Sequence, residues 1–228
     1  MMAQAGSSRE PSRASRLILV GVVALVALGL DLWSKAWAWE HLRDQPAVEV
    51  IEGFFYLKFG FNTGAAFSFL RDESWARLFF ISVTFLALGY MGWLALKMST
   101  KRAYGFVAVG LIAAGASGNL HDRFFRIDEV WINGEFAPRH GVVDFLQFYY
   151  PWNPEKYWPI FNVADTALVC GVALLLLFLH FHGAEGTLAA EDDKSKAKAK
   201  ADEADASAAE PEAEDAGEDE DESELVPA

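Results

Sequence analysis

The chain has a single cysteine, Cys170, so no disulfide within it is possible and a disulfide-built scaffold is excluded. It lacks the dense basic footprint of a nucleic-acid-binding protein. Charge of either sign is scarce over most of its length. Residues 191–228 hold 16 of the 32 acidic residues and only four lysines. That segment carries −12 of the formal net charge of −13, which leaves residues 1–190 at −1. What remains is strongly apolar. The chain is 53 % hydrophobic and contains 18 Phe and 8 Trp. Such a body does not read as an ordinary soluble domain.

Four stretches are long and apolar enough to cross a bilayer, which takes about 20 residues of helix. They run from about Leu17 to Trp37, Leu78 to Leu96, Tyr104 to Leu120 and Ile160 to Leu179. A cleaved signal peptide does not fit the first. No small-residue cleavage site follows it, it contains Asp31 and Lys35, and three more spans come later. Arg9, Arg13 and Arg16 precede the first span, and Lys97, Lys101 and Arg102 crowd the short second loop. The two long loops, 38–76 and 121–158, are less dense in basic residues. The positive-inside rule therefore puts both termini in the cytoplasm and both long loops outside. Three regions follow: a cytoplasmic segment 1–15, a membrane domain 16–182 and an acidic tail 183–228. The tail is mostly Ala, Glu and Asp and has little apolar surface to offset the entropy of ordering, so it is expected to be disordered.

The outer loops have β character. Residues 48–60 are rich in β-branched and aromatic side chains and read as one or two strands. Asn62 and Gly64 suit a turn. Asn133-Gly134 between apolar residues signals a hairpin. Tyr149, Tyr150, Trp152, Tyr157 and Trp158 suit an interfacial belt before the fourth span.

Ionisable groups at membrane depth are expensive and point to function. Asp31 and Lys35 lie four apart on one helix face. They read as a structural ion pair or a snorkelling lysine, or as groups that shape a catalytic pocket. Asp165 sits near the outer end of the fourth span, with Asn162 three residues earlier, and Asp144 lies in the segment before it. The chain can bring Asp144 and Asp165 together at the outer boundary. Two close carboxylates in a poorly solvated place share one proton, which suits general acid–base hydrolysis. On spacing alone, Asp144 could instead be a surface acid and Asp165 an ion-transport residue. Asn119 and Arg123 share a face at the end of the third span, and Arg123 could pair with Asp122, Asp31 or a lipid phosphate. His121 has no second good ligand beside it, so no metal site is expected.

Five motifs in chain order resemble the bacterial lipoprotein signal peptidases, the type II signal peptidases. They are Asp31-Leu-Trp-Ser-Lys35, Asn62-Thr-Gly-Ala-Ala-Phe-Ser68, Gly115-Ala-Ser-Gly-Asn-Leu-His-Asp-Arg123, Val143-Asp-Phe145 and Phe161-Asn-Val-Ala-Asp165. The resemblance covers roughly residues 16–182. It implies an α-helical polytopic membrane protein, with four transmembrane helices and a small β-rich cradle on the outer face. It implies that Asp144 and Asp165 are the catalytic dyad. Asp31, Lys35, Asn62, Gly64, Asn119, Arg123 and Asn162 would support the site or bind substrate. The substrates implied are prolipoproteins whose cysteine carries diacylglycerol, cut just before that cysteine. Membrane lipids are the other expected partners. No nucleic acid, cofactor or metal is expected, and the chain is expected to act as a monomer in the bacterial inner membrane. The stretch between Arg123 and Asp144 is longer than the family usually has. Two other readings stay open: a proton-coupled transporter using the intramembrane acids, and a non-enzymatic membrane scaffold.

Overall fold

The computed structural model describes residues 11–64, 73–132 and 134–182. The acidic tail lies outside them, as do residues 65–68 of the Asn62 motif and Asn133 of the hairpin signal. Each expected span is a helix: α1 (Arg13–His41), α2 (Glu73–Lys97), α3 (Ala103–Phe125) and α4 (Val163–His182). Between them run β1 (Val48–Ile51), β2 (Phe55–Asn62), β3 (Ile127–Ile132), β4 (Glu135–His140), β5 (Val142–Tyr150) and β6 (Asn153–Tyr157).

α3 is the central helix. Its apolar window is 56 % buried, against 6 % for α1. Small residues explain how it fits among its neighbours. A Cβ at Gly110 would stand 2.9 Å from the Val23 side chain and 3.0 Å from the Val20 carbonyl of α1. A Cβ at Gly115 would stand 2.3 Å from the Ala164 carbonyl of α4. At the end of the bundle away from the β-strands, Phe106, Val109 and Ile112 of α3 pack with Met98, Leu175 and Phe178. Arginines close that end. The Arg13 guanidinium donates to the carbonyls of Ala95 and Met98, both at 3.2 Å, and Arg16 donates to Thr100 at 2.8 Å. The bond to Ala95 satisfies a carbonyl that the end of α2 leaves without a helical partner, and the other two tie down the turn that follows.

The helices end differently from the apolar runs. α3 continues past Leu120 to Phe125, so the end of the third span that carries Asn119 and Arg123 is helical throughout. The polar side chains find partners in the protein and do not break the turn. α4 starts at Val163, three residues later than Ile160. Phe161 is held extended by its bridge to Leu146 of β5, and Asn162 then caps the helix. Asp165 therefore lies in the first turn of α4, shallower than its distance from Ile160 implies.

The strands form a four-stranded antiparallel sheet, β1-β2-β5-β6, and a separate two-stranded sheet, β3-β4. β2 and β5 pair with Asn62 opposite Val142 and Gly60 opposite Asp144. Alternation along β5 sends Val143 and Phe145 into an apolar cluster with Ala38 and Leu42 at the end of α1. Asp144, between them, faces the other way. The expected hairpin is β3-β4, with Gly134 at φ +94° in its turn.

Candidate functional site

The site forms where α1, α3, α4 and β5 meet. The start of α4 is its keystone. Asn162 and Asp165 form a reciprocal capping box. The Asp165 amide donates to Asn162 Oδ1 at 3.0 Å, and the Asn162 amide donates to Asp165 Oδ2 at 3.1 Å. The next orphan donor, the Ala164 amide, reaches Asp31 Oδ1 on α1 at 2.8 Å. So α1 supplies part of the cap of α4, where a helix terminus favours negative charge.

Asn162 is fully buried and links both candidate acids. Its Nδ2 donates to Asp144 Oδ1 at 2.7 Å, while its backbone amide holds Asp165. Asn119 of α3 mirrors it. Asn119 Nδ2 donates to Asp165 Oδ1 at 2.8 Å. Asn119 Oδ1 accepts from Lys35 Nζ at 2.8 Å and from Asn162 Nδ2 at 3.2 Å. Asn62 Nδ2 donates to Asp144 Oδ2 at 3.1 Å, and its own Oδ1 accepts from the Gly64 amide at 3.0 Å. Gly64 has φ +88°, a backbone that suits glycine.

Lys35 does not snorkel. It is buried and forms a 2.8 Å ion pair with Asp31. Its Nζ also lies 3.6 Å from Asp122 Oδ2. Arg123 forms no ion pair with Asp122 or Asp31. It donates to the Asn119 carbonyl at 3.1 Å and stacks on Phe80, with its cation 4.7 Å from the ring centre. That leaves it within electrostatic reach of Asp165 and Asp144. Cys170 is exposed on α4.

Asp144 is 4 % exposed. Burial pushes its carboxyl up to about 7, and the nearby Asp165 adds to the rise. The hydrogen bonds from Asn62 and Asn162 and the charge of Lys35 oppose it more weakly. Asp165 is less enclosed. It borders a groove of about 300 Å³ whose other walls are Trp158, Phe161, Thr166, Val169 and Cys170. The arrangement thus offers two carboxyl groups, one of them raised far enough to hold a proton up to about pH 7, beside an apolar groove on the outside of α4.

A sequence model for signal peptidase II matches residues 23–181. The chain belongs to the signal peptidase II family. It is 39 % identical over 180 residues to the lipoprotein signal peptidase of Xanthomonas campestris pv. campestris strain 8004, across 77 % of this chain and 95 % of that one. The lipoprotein signal peptidase of Maridesulfovibrio salexigens is 35 % identical over 165 residues, across 72 % of this chain and 96 % of that one. A bacterial membrane enzyme solved by the in meso method at 1.9 Å resolution has the same fold. It gives a TM-score of 0.56 at 28 % identity and covers 70 % of this chain and 91 % of its own.

One member of the polar cluster in this signal peptidase II chain is not among the residues singled out from sequence. Asp122 is fully buried. Its Oδ2 accepts from the Val143 amide at 3.1 Å, and its Oδ1 accepts from Arg126 Nε at 3.1 Å. It thereby fixes β5 one residue before Asp144. A signal was present: Asp122 follows Asn119 by three, so the two share a helix face. Asp122 lies in the same Gly115–Arg123 motif as Arg123, but the sequence offers it a role only as a candidate partner for that arginine.

Proposed function

We propose that this protein is an aspartic endopeptidase that removes signal peptides from diacylglyceryl-modified prolipoproteins, cutting just before the lipidated cysteine. The observation that carries this reading is the Asn162 bridge, in which one residue holds Asp144 through its side chain and Asp165 through its backbone. Asp144 and Asp165 are the catalytic pair. Asp31, Lys35, Asn119 and Asn162 hold the pair in place, Asn62 and Gly64 border Asp144, and Arg123 supplies nearby positive charge.

In this mechanism Asp144 enters protonated and Asp165 ionised. Asp165 takes a proton from water as the water oxygen bonds to the peptide carbonyl carbon. Asp144 gives its proton to the carbonyl oxygen. The resulting diol collapses, and the carbon–nitrogen bond breaks. The departing amine takes the proton from Asp165, and a diol hydroxyl returns one to Asp144. Both acids end as they began. A diacylglyceryl chain keeps the substrate in the bilayer, so carboxyl groups at the membrane boundary sit at the depth of the bond to be cut. In this reading the protein works in the bacterial inner membrane as a monomer, with both termini in the cytoplasm and the site facing outward. Clustering of the polar groups at one end of the bundle favours this reading over a transport path, which needs them across the whole membrane.

The test uses purified Asp144→Asn and Asp165→Asn variants with a diacylglyceryl-modified prolipoprotein and a gel-shift readout. Each variant is expected to lose activity by about 10³-fold or more, in keeping with loss of a general acid or base, while eluting as the folded protein. Near-normal cleavage by either folded variant would overturn the assignment.

A further inference from the structure

The β3-β4 hairpin joins α3 to β5 and contributes no residue to the polar cluster. Its two faces differ. One face is turned to the body, where Asp128 is held by Arg43 and Val130 and Ala137 are half-buried. The other face is exposed and mostly apolar. It carries Ile127, Trp131, Phe136 and Pro138, with Glu129 as its one acid and the half-buried His140 at its base. Trp131 and Phe136 are cross-strand partners in edge-to-face contact at 4.8 Å, yet they are 61 % and 64 % exposed. A two-stranded hairpin is marginally stable in water unless something covers its apolar face.

The surroundings indicate what covers it. The exposed face begins directly after Phe125, the 73 % exposed last residue of α3, so it continues the lipid-facing surface of a membrane helix. Exposed tryptophans mark the same end of the bundle elsewhere: Trp33 on α1, Trp75 on α2 and Trp158 just before α4. α3 contains no tryptophan. Tryptophan prefers the boundary between headgroups and acyl chains. The hairpin supplies that residue for α3.

We propose that the exposed face of the β3-β4 hairpin, through Trp131 and Phe136, seats in the headgroup boundary of the bilayer that the four helices span. The hairpin is thus a membrane anchor beside the site, independent of which residues carry out the chemistry.

The experiment places a nitroxide label at Phe136→Cys in a Cys170→Ser background, with the protein in phosphatidylglycerol–phosphatidylethanolamine vesicles. Cleavage activity of the labelled protein reports that it is folded. The label is expected to be several-fold more accessible to oxygen than to a water-soluble nickel chelate. A label at Glu49→Cys, an exposed position on β1, is expected to show the reverse. Equal nickel access at the two positions would overturn the proposal. A Trp131→Ser/Phe136→Ser double variant gives the second arm. It is expected to lose about five- to twenty-fold of its cleavage rate in vesicles, equivalent to about 1–2 kcal/mol in total, and to match the parent in detergent micelles. An equal loss in both media would mean that the pair grips the substrate instead, and would also overturn it.

Discussion

The two halves of α3 are both buried, yet they are built on different rules. The half from Gly105 to Ile112 packs only apolar groups: Phe106, Ala108 and Val109 against Met98, Leu175 and Phe178. The half from Gly115 to Asp122 packs against Asp31, Lys35, Asn162 and Asp165 through hydrogen bonds and ion pairs. Both halves rely on glycine for close approach. In the first, volume is what matters, and neighbours of similar size can repack. In the second, each polar group needs its own partner, because one left unpaired out of water is costly. The same helix is therefore tolerant at one end and exacting at the other.

The largest departure should come from Lys35→Met. It leaves Asp31 and Asp122 buried without their shared cation. Breaking a buried pair costs about 3–5 kcal/mol, so the melting temperature in detergent should fall by several degrees and cleavage should be lost. A melting curve like the parent's would show that the polar half is no more exacting than the apolar one.

Matched glycine substitutions probe the contrast directly. A Cβ at Gly118 would stand 2.2 Å from Asp31 Oδ2, an atom fixed by Lys35. A Cβ at Gly105 would stand 2.5 Å from Met98 Cε, the far end of a flexible chain, and 2.7 Å from the Phe178 ring. Overpacking costs about 1–3 kcal/mol. Gly118→Ala should fall at or above the top of that range and remove most activity. Gly105→Ala should fall near the bottom and keep it. Equal effects on both melting and cleavage would erase the distinction.

Acidity gives a smaller effect. Asp144 is raised to about 7. Its proton is present below that value and is lost as pH rises through it, so cleavage should decline on the alkaline side of about 7. Stability should move in the same direction: the folded chain holds a proton that the unfolded chain has released above the ordinary carboxylate range. Stability from this group is therefore full below pH 3.8, and is lost as pH climbs to about 7. A cleavage profile flat from pH 6 to 9 would contradict this. The smallest effect belongs to the tail. Deleting residues 191–228 should leave cleavage unchanged at equal membrane abundance, since the family match ends at residue 181. A large loss in the gel-shift assay would give the tail a role.

Much of the fold was legible from residue patterns, because a membrane span needs only a long apolar run. All four spans, the strands around Val48–Asn62 and the hairpin at Gly134 could be read that way. Helix ends could not. Hydropathy falls at Asn119, but α3 continues because its polar atoms bond to other segments, and partners supplied by the tertiary fold do not show in a local window. The start of α4 was misplaced for the converse reason: Ile160 and Phe161 are apolar, but strand pairing claims Phe161. Asp144 and Asp165 stood out as acids among apolar neighbours. Asp122 did not, because its importance rests on the Val143 amide 21 residues later.

One bond reaches further than any other in the site. Asp31 Oδ1 accepts from the Ala164 amide, 133 residues along the chain. Asp31, Lys35 and Asn119 belong to the first and third spans, whereas Asn162 and Asp165 arrive with the fourth. During synthesis, a chain that has inserted only three spans holds half of the polar cluster, with no partner for Asp31 on α4. The cluster closes only when the last span enters and docks against the first. Until then Asp31 has Lys35 of its own helix but not the Ala164 amide.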